Sequence, residues 1–201
     1  MCHTNKCAVI CVRFTRLFVG VASALEIVKQ VGTKLSAVDA CWFKHFVYQT
    51  GQIHMISTLD GNKKVVPLAW AICETESRNT WEYFRDQCIL FGLEDYINLP
   101  DSVVFSDRMK GIEAFMAHFN AWHLLCYKHV RNNIYAHSGR SKPSSQLLWD
   151  LQKASSYDSW QQLLEKIEDV STAAANYIGT LPKIVWRYYQ LQVCFRYIRH
   201  S

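Results

Sequence analysis

The side chains best suited to chemistry are two aspartates, Asp39 and Asp107, one inside and one closing an apolar-rich run. Carboxylates are hard oxygen donors, and a set of them converging on a pair of divalent cations is what phosphoryl transfer needs: one ion activates the attacking oxygen, the other stabilises the leaving oxygen. The runs that carry them, KLSAVDACWF (34–43) and DSVVFSD (101–107), both read as strands. Bare spacing does not demand chemistry. On spacing alone, Asp39 as a surface strand residue and Asp107 as the N-cap of a helix opening near Met109 is the simpler account.

The elements that must position these groups follow from hydrophobic periodicity. HMISTL (54–59) and KVVPLAWAIC (64–73) are strand-like and are separated by Asp60-Gly61-Asn62, whose Asp-Gly step supplies the positive backbone angles of a tight hairpin. In 79–92, Trp81, Phe84, Cys88 and Phe91 form a helical stripe; Asn79 is the expected cap, Glu82 its box partner and Gly92 the stop. After the strand ending on Asp107, Met109, Ile112, Phe115, Met116 and Phe119 give a second helical stripe, AWHLLCY (121–127) a fifth strand and KHVRNNIYAH (128–137) a further helix. Three strands, the last two a hairpin, followed by helix, strand, helix, strand and helix is the order of an RNase H-like fold: an α/β architecture with a mixed sheet flanked by helices. In such a sheet the first and fourth strands adjoin, so Asp39 and Asp107 can meet.

The chain has 201 residues, half of them hydrophobic and 19% charged, which suits one substantial core and excludes a disordered tail. The net charge of +5 suits a polyanionic partner without requiring one. The eight cysteines are read as reduced thiols, because a chain that can build a core does not need a disulfide framework. Cys2, Cys7, Cys11 and His3 lack a CxxC pair and regular spacing, so zinc is not expected. LFVGVASAL (17–25) is read as a buried helix; it is too short for a membrane span, and the basic residues and Glu26 around it argue against a signal peptide. The expected organisation is a helical lead-in (1–33), a catalytic core (34–137) and, past the polar loop HSGRSKPSS (137–145), an all-helical C-terminal insertion lobe (138–201). There Trp160, Leu163, Leu164, Ile167 and Val170 form one stripe and 184–198 a last aromatic helix.

Three blocks, VDACWFKHFVYQTGQ (38–52), DGNKKVVPLAWAICETESRNTWEYF (60–84) and FSDRMKGIEAFMAHFNAWHLLCYKHVRNN (105–133), stand in the order found in the Mutator-like element (MULE) transposase domain, which the chain resembles from about 35 to 137. The resemblance implies that Asp39 and Asp107 are the first two metal-binding aspartates of a DDE site. It also implies magnesium or manganese as cofactor, and hydrolysis and strand transfer at DNA ends. Cys126 and His129 match the family's Cys-x-x-His; with Cys126 packed in the fifth strand and His129 capping or pairing in the next helix, a structural or site-shaping role is expected rather than metal ligation. Glu74 and Glu76 match acidic positions of the second block and are assigned no catalysis, and Asp60 is explained by its turn.

The family's third acid, a glutamate, has no match; Glu165 and Glu168 are the nearest candidates, and the chain is expected to stop before that residue and to be inactive as it stands. Arg108, Lys110, Lys128 and Arg131, with Arg140 and Lys142 nearby, are the expected DNA contacts, joined by Arg187, Arg196 and Arg199 in the last helix. The partners implied are transposon terminal repeats and target DNA, with a homo-oligomer in an active assembly and a nuclear location. The alternative function is a transposon-derived DNA-binding regulator without catalysis.

Overall fold

The computed structural model describes residues 15–42, 51–107 and 110–181. It is a mixed α/β structure whose sheet has six strands in the order β1-β4-β3-β2-β5-β6. These are β1 (Leu17–Gly20), β2 (Leu35–Trp42), β3 (Gln52–Leu59), β4 (Val65–Cys73), β5 (Val103–Ser106) and β6 (Trp122–Leu125). Strands β2, β3 and β4 form an antiparallel meander, β1 adds antiparallel to β4, and β5 and β6 continue from β2 in parallel.

The first strand departs from expectation. Residues 17–25 were expected to be one helix, but Leu17–Gly20 pair with Ile72–Ala69 and only Ala22–Val31 is helical (α1). Leu25 and Val28 of α1 are buried and Ile27 and Val31 exposed, the one-sided burial of a surface helix. Phe18 of β1 packs its ring against Phe84 and Phe91, so the aromatic content of this stretch serves a sheet edge.

The β3–β4 connection is also longer than a two-residue turn. Asp60 Oδ1 accepts from the backbone N–H groups of Asn62 and Lys64, both at 2.8 Å, and the positive φ (63°) falls on Lys63. Asp60 thus organises the loop, as expected, but through its side chain.

Helix α2 (Arg78–Leu90) is capped by Ser77, whose Oγ accepts from Thr80 N while Thr80 Oγ1 accepts from Ser77 N, a reciprocal capping box. Asn79 and Glu82, the expected cap and box partner, serve Arg16 and Arg78 instead. Gly92 ends the helix at φ 84°, and Leu93 N–H closes the turn onto Cys88 O at 3.0 Å. Trp81, Phe84 and Cys88 are fully buried against Val38, Ile56, Ala71 and Val104 of the sheet. The same core takes in Ile112 and Phe115 of α4 (Lys110–Met116), which follows the short α3 (Glu94–Ile97) and β5.

Helices α5 (Tyr127–His137), α6 (Ser145–Lys153), α7 (Tyr157–Val170) and α8 (Thr172–Gly179) share a second buried cluster, built on Val130, Ile134, Leu148, Leu151, Trp160, Ile167 and Ile178. Each of α6, α7 and α8 is capped by a serine, Ser144, Ser156 and Ser171. Val170 is exposed, so the α7 stripe is narrower than its sequence suggests. The expected last helix, 184–198, lies outside the described residues. Among the described residues no helix is long and apolar enough to cross a membrane.

Candidate carboxylate site at one edge of the sheet

Strand parity gathers the acids. Because β2 and β4 each run antiparallel to β3, and β5 runs parallel to β2, the carboxyl ends of β2, β4, β5 and β6 point to the same edge. Asp39 lies in the second half of β2, Asp107 directly follows β5, and Glu76 stands three residues beyond β4. The β2–β5 ladder pairs Leu35 with Val103 and Ala37 with Phe105. Asp39 and Asp107 each lie two residues further, so the register, extended, sets them opposite each other on the face that carries Ala37 and Phe105. Asp39 is exposed and its Oδ1 accepts from Ala40 N–H at 2.9 Å; Asp107 is half-buried.

Glu76, to which the sequence assigned no catalysis, joins this edge. It is half-buried, and its Oε1 accepts from the indole N–H of Trp81 at 3.3 Å. Burial pushes its carboxyl above the usual range; the Trp81 bond opposes this, while the charges of Asp107 and Asp39 push it further up. Glu76 is therefore within electrostatic reach of both aspartates. Trp81 is itself fixed on all sides: it has no exposure, meets His54 edge-on at 4.3 Å and packs on Phe84 and Phe115. Gly111 lets the first turn of α4 rest on this indole, since a Cβ there would fall 2.2 Å from Trp81 Cδ1. The helix that follows Asp107 and the residue that holds Glu76 are thus packed into one unit.

Glu74 behaves differently. Arg16 bonds both its carboxylate oxygens and holds it below the usual carboxylate range, while the same guanidinium donates to Asn79 Oδ1 at 2.9 Å and lies over Tyr83. Arg16 thus ties the start of β1 to the end of β4 through Glu74 and to the start of α2 through Asn79. Glu74 is structural.

A second support reaches Asp107 from β6. The buried Ser106 hydroxyl donates to the Asp107 carbonyl at 2.8 Å, which leaves its oxygen to accept from His123 Nε2–H at 2.6 Å. Burial lowers the His123 pKa, against the pull of Glu113 and Asp107, and the neutral ring suits this donor role. Cys126 N–H donates to Ser106 O at 2.6 Å and completes the β5–β6 clamp behind Asp107.

Cys126 is a free thiol at the N-cap of α5, and His129 is half-buried with an Nδ1 that has no hydrogen-bond partner among the described residues. Among the described residues, no group of three or more His, Cys, Asp or Glu side chains is arranged to hold a metal ion. Lys128 is exposed and Arg131 is half-buried on α5. Lys110 opens α4, with its side chain outside the description, and Arg108, Arg187, Arg196 and Arg199 lie outside the described residues. Glu165 and Glu168 are exposed on α7. A signal for Glu76 was present in the sequence: once 52–59 and 65–73 are a hairpin, whatever follows the second strand emerges at the edge to which the Asp39 strand points. His123 has no comparable signal. A scan of family models returns no match to this chain, and a search of curated proteins returns none either.

Proposed function

We propose that the chain is an RNase H-like domain of the MULE transposase type that holds magnesium or manganese at Asp39 and Asp107 and acts on DNA phosphodiesters. The observation that carries this reading is the parallel β2–β5 register, which sets the two aspartates opposite each other on one face. The order β4-β3-β2-β5-β6, a meander continued by two parallel strands with helical connections, supports the fold assignment, with β1 as an added edge strand. The helical segment 145–179 supports the insertion lobe.

The donors suit a hard cation: both are carboxylates, Asp39 exposed and Asp107 half-buried. Such a cation supplies Lewis-acid activation of the attacking oxygen and charge stabilisation of the leaving one. The chain's own residues do the positioning. Asp39 is fixed by the central strand, Asp107 by the Ser106–His123 clamp, and Glu76, held by Trp81 and sensing the charge of both aspartates, adds a third carboxyl at the same edge.

The test is a manganese titration followed by calorimetry or electron paramagnetic resonance, with labelled terminal-repeat duplex in a parallel cleavage assay. Asp39→Asn and Asp107→Asn should each weaken binding at least about tenfold, the loss of one of two anionic ligands at such a site. Equal affinity in all three proteins refutes the reading. A second reading, DNA binding without cleavage, is favoured by the lack of a three-ligand group among the described residues; manganese and DNA binding with intact duplex is its signature. Under either reading the chain's work lies with nuclear DNA.

A further inference from the structure

A continuous ladder of cations and rings runs across α5, α6 and the loop between them. Lys153 Nζ lies 4.7 Å from the Trp149 ring, Trp149 meets Tyr127 at 4.9 Å, Arg131 lies over both Tyr127 (6.0 Å) and Tyr135 (5.9 Å), and Lys142 Nζ sits 5.8 Å from Tyr135. Trp149 is 39% exposed, Lys142 and Lys153 are exposed, and Tyr127, Arg131 and Tyr135 are half-buried. No Asp or Glu occurs in the sequence between Glu113 and Asp150, and Asp150 accepts from Gln146 at 2.7 Å. Among the described residues no ion pair engages Arg131, Lys142 or Lys153, and Arg131 Nε has no hydrogen-bond partner. Cys126, one residue before Tyr127, is bonded to Ser106 beside Asp107, so the middle of the ladder follows directly on the edge that carries the carboxylates.

We infer that this ladder is a binding track for an unpaired DNA strand, a base stacking on the exposed Trp149 and its phosphates meeting Arg131, Lys142 and Lys153, which Tyr127 and Tyr135 hold in a row. An acidic peptide would satisfy the cations and leave the exposed indole of Trp149 unused, and a duplex keeps its own base faces stacked inside. A single strand uses both. The choice of DNA rests on the function proposed above; the track itself does not need the metal site.

The test is fluorescence anisotropy of a labelled oligothymidine, its duplex with oligoadenine and a labelled oligouridine, all in EDTA at low salt. Oligothymidine should bind more tightly than the duplex and at least as tightly as oligouridine. Trp149→Ala should weaken it about tenfold, within the range of one lost base–aromatic stack, while Trp149→Phe stays near the parent. The Lys142→Gln, Lys153→Gln double variant should flatten the slope of log affinity against log salt by about 1.4, two single-strand phosphate contacts. Circular dichroism checks that the partly exposed Trp149 can be replaced with the fold retained. The proposal is overturned if duplex binds as well as oligothymidine, if oligouridine is preferred, if Trp149→Ala binds like the parent, or if Trp149→Phe is as weak as Trp149→Ala. Asp39→Asn and Asp107→Asn should bind oligothymidine normally in EDTA, so failure of the metal site and failure of the track are read separately.

Discussion

Acidification should destabilise the fold, and the buried His54 should contribute a separable share of the loss. Its ring has no exposure, its Nδ1 has no hydrogen-bond partner among the described residues, and its Nε2 reaches Thr80 Oγ1 only at 3.5 Å. Burial lowers its pKa to about 4 from 6.5, with Glu74 pulling upward and Arg16 pushing further down. The unfolded chain takes up a proton near pH 6.5 and the folded chain refuses it until about 4, so in that window the unfolded state binds more protons and stability falls as pH falls. The slope approaches 1.4 kcal/mol per pH unit, and the whole window amounts to about 3 kcal/mol, a large share of a typical domain's stability. The assay is urea unfolding at intervals from pH 7.5 to 4.5 for the parent and for His54→Gln, which keeps a polar group near Thr80 and cannot titrate. The variant should start less stable and lose less on acidification; the difference between the curves isolates His54 from Glu74, whose lowered pKa also costs stability in acid. Parallel curves would mean that His54 is solvated enough to titrate normally, and the account of its burial would be wrong.

Four further outcomes are expected. Gly111→Ala should cost about 1–3 kcal/mol, because the added methyl meets the immobile Trp81 indole; urea midpoints measure this, and an unchanged midpoint removes the α2–α4 contact. His123→Leu should cost about 1–3 kcal/mol by leaving the buried Ser106 hydroxyl without its donor, while His123→Gln, which keeps an N–H, should recover part of it. Thr58→Val should cost a similar amount, since the buried hydroxyl donates to Leu35 O at 2.7 Å and contacts Tyr96 Oη at 2.7 Å. Arg16→Leu should cost under about 1 kcal/mol despite its well-formed pair, because the Glu74 side chain is 45% exposed; a larger loss in thermal unfolding would assign Arg16 a packing role on Tyr83.

Strands β2 to β6 were legible because alternation and apolar runs survive in sequence, and the stripes of α2 and α7 for the same reason. Strand β1 was not. Its four residues sit in an apolar stretch that continues into α1, and nothing local distinguishes an edge strand from the first turn of a helix. The α2 cap was misplaced by two residues because Ser77, Asn79 and Thr80 are all good cap types, and the choice is settled by Arg16, far away in sequence, which engages Asn79. For the site, the aspartates were found through resemblance and the order of elements, whereas spacing alone favoured ordinary roles. Glu76 required following the hairpin to the sheet edge at which it ends. The His123 support depends on the β5–β6 register, which no local pattern encodes.

The long β3–β4 hairpin turns back at Asp60–Lys64, towards the end of the sheet opposite to the carboxylates: Asp39 pairs with Met55 and Met55 with Trp70, six residues along β4 from Lys64. At the rise of an extended strand that is a rigid spacer of roughly 20 Å. A nitroxide attached through Lys64→Cys, on an exposed residue outside the positive-φ position, would therefore act as a fixed reference point. Its dipolar coupling to bound manganese would report the position of the ion without any need for turnover.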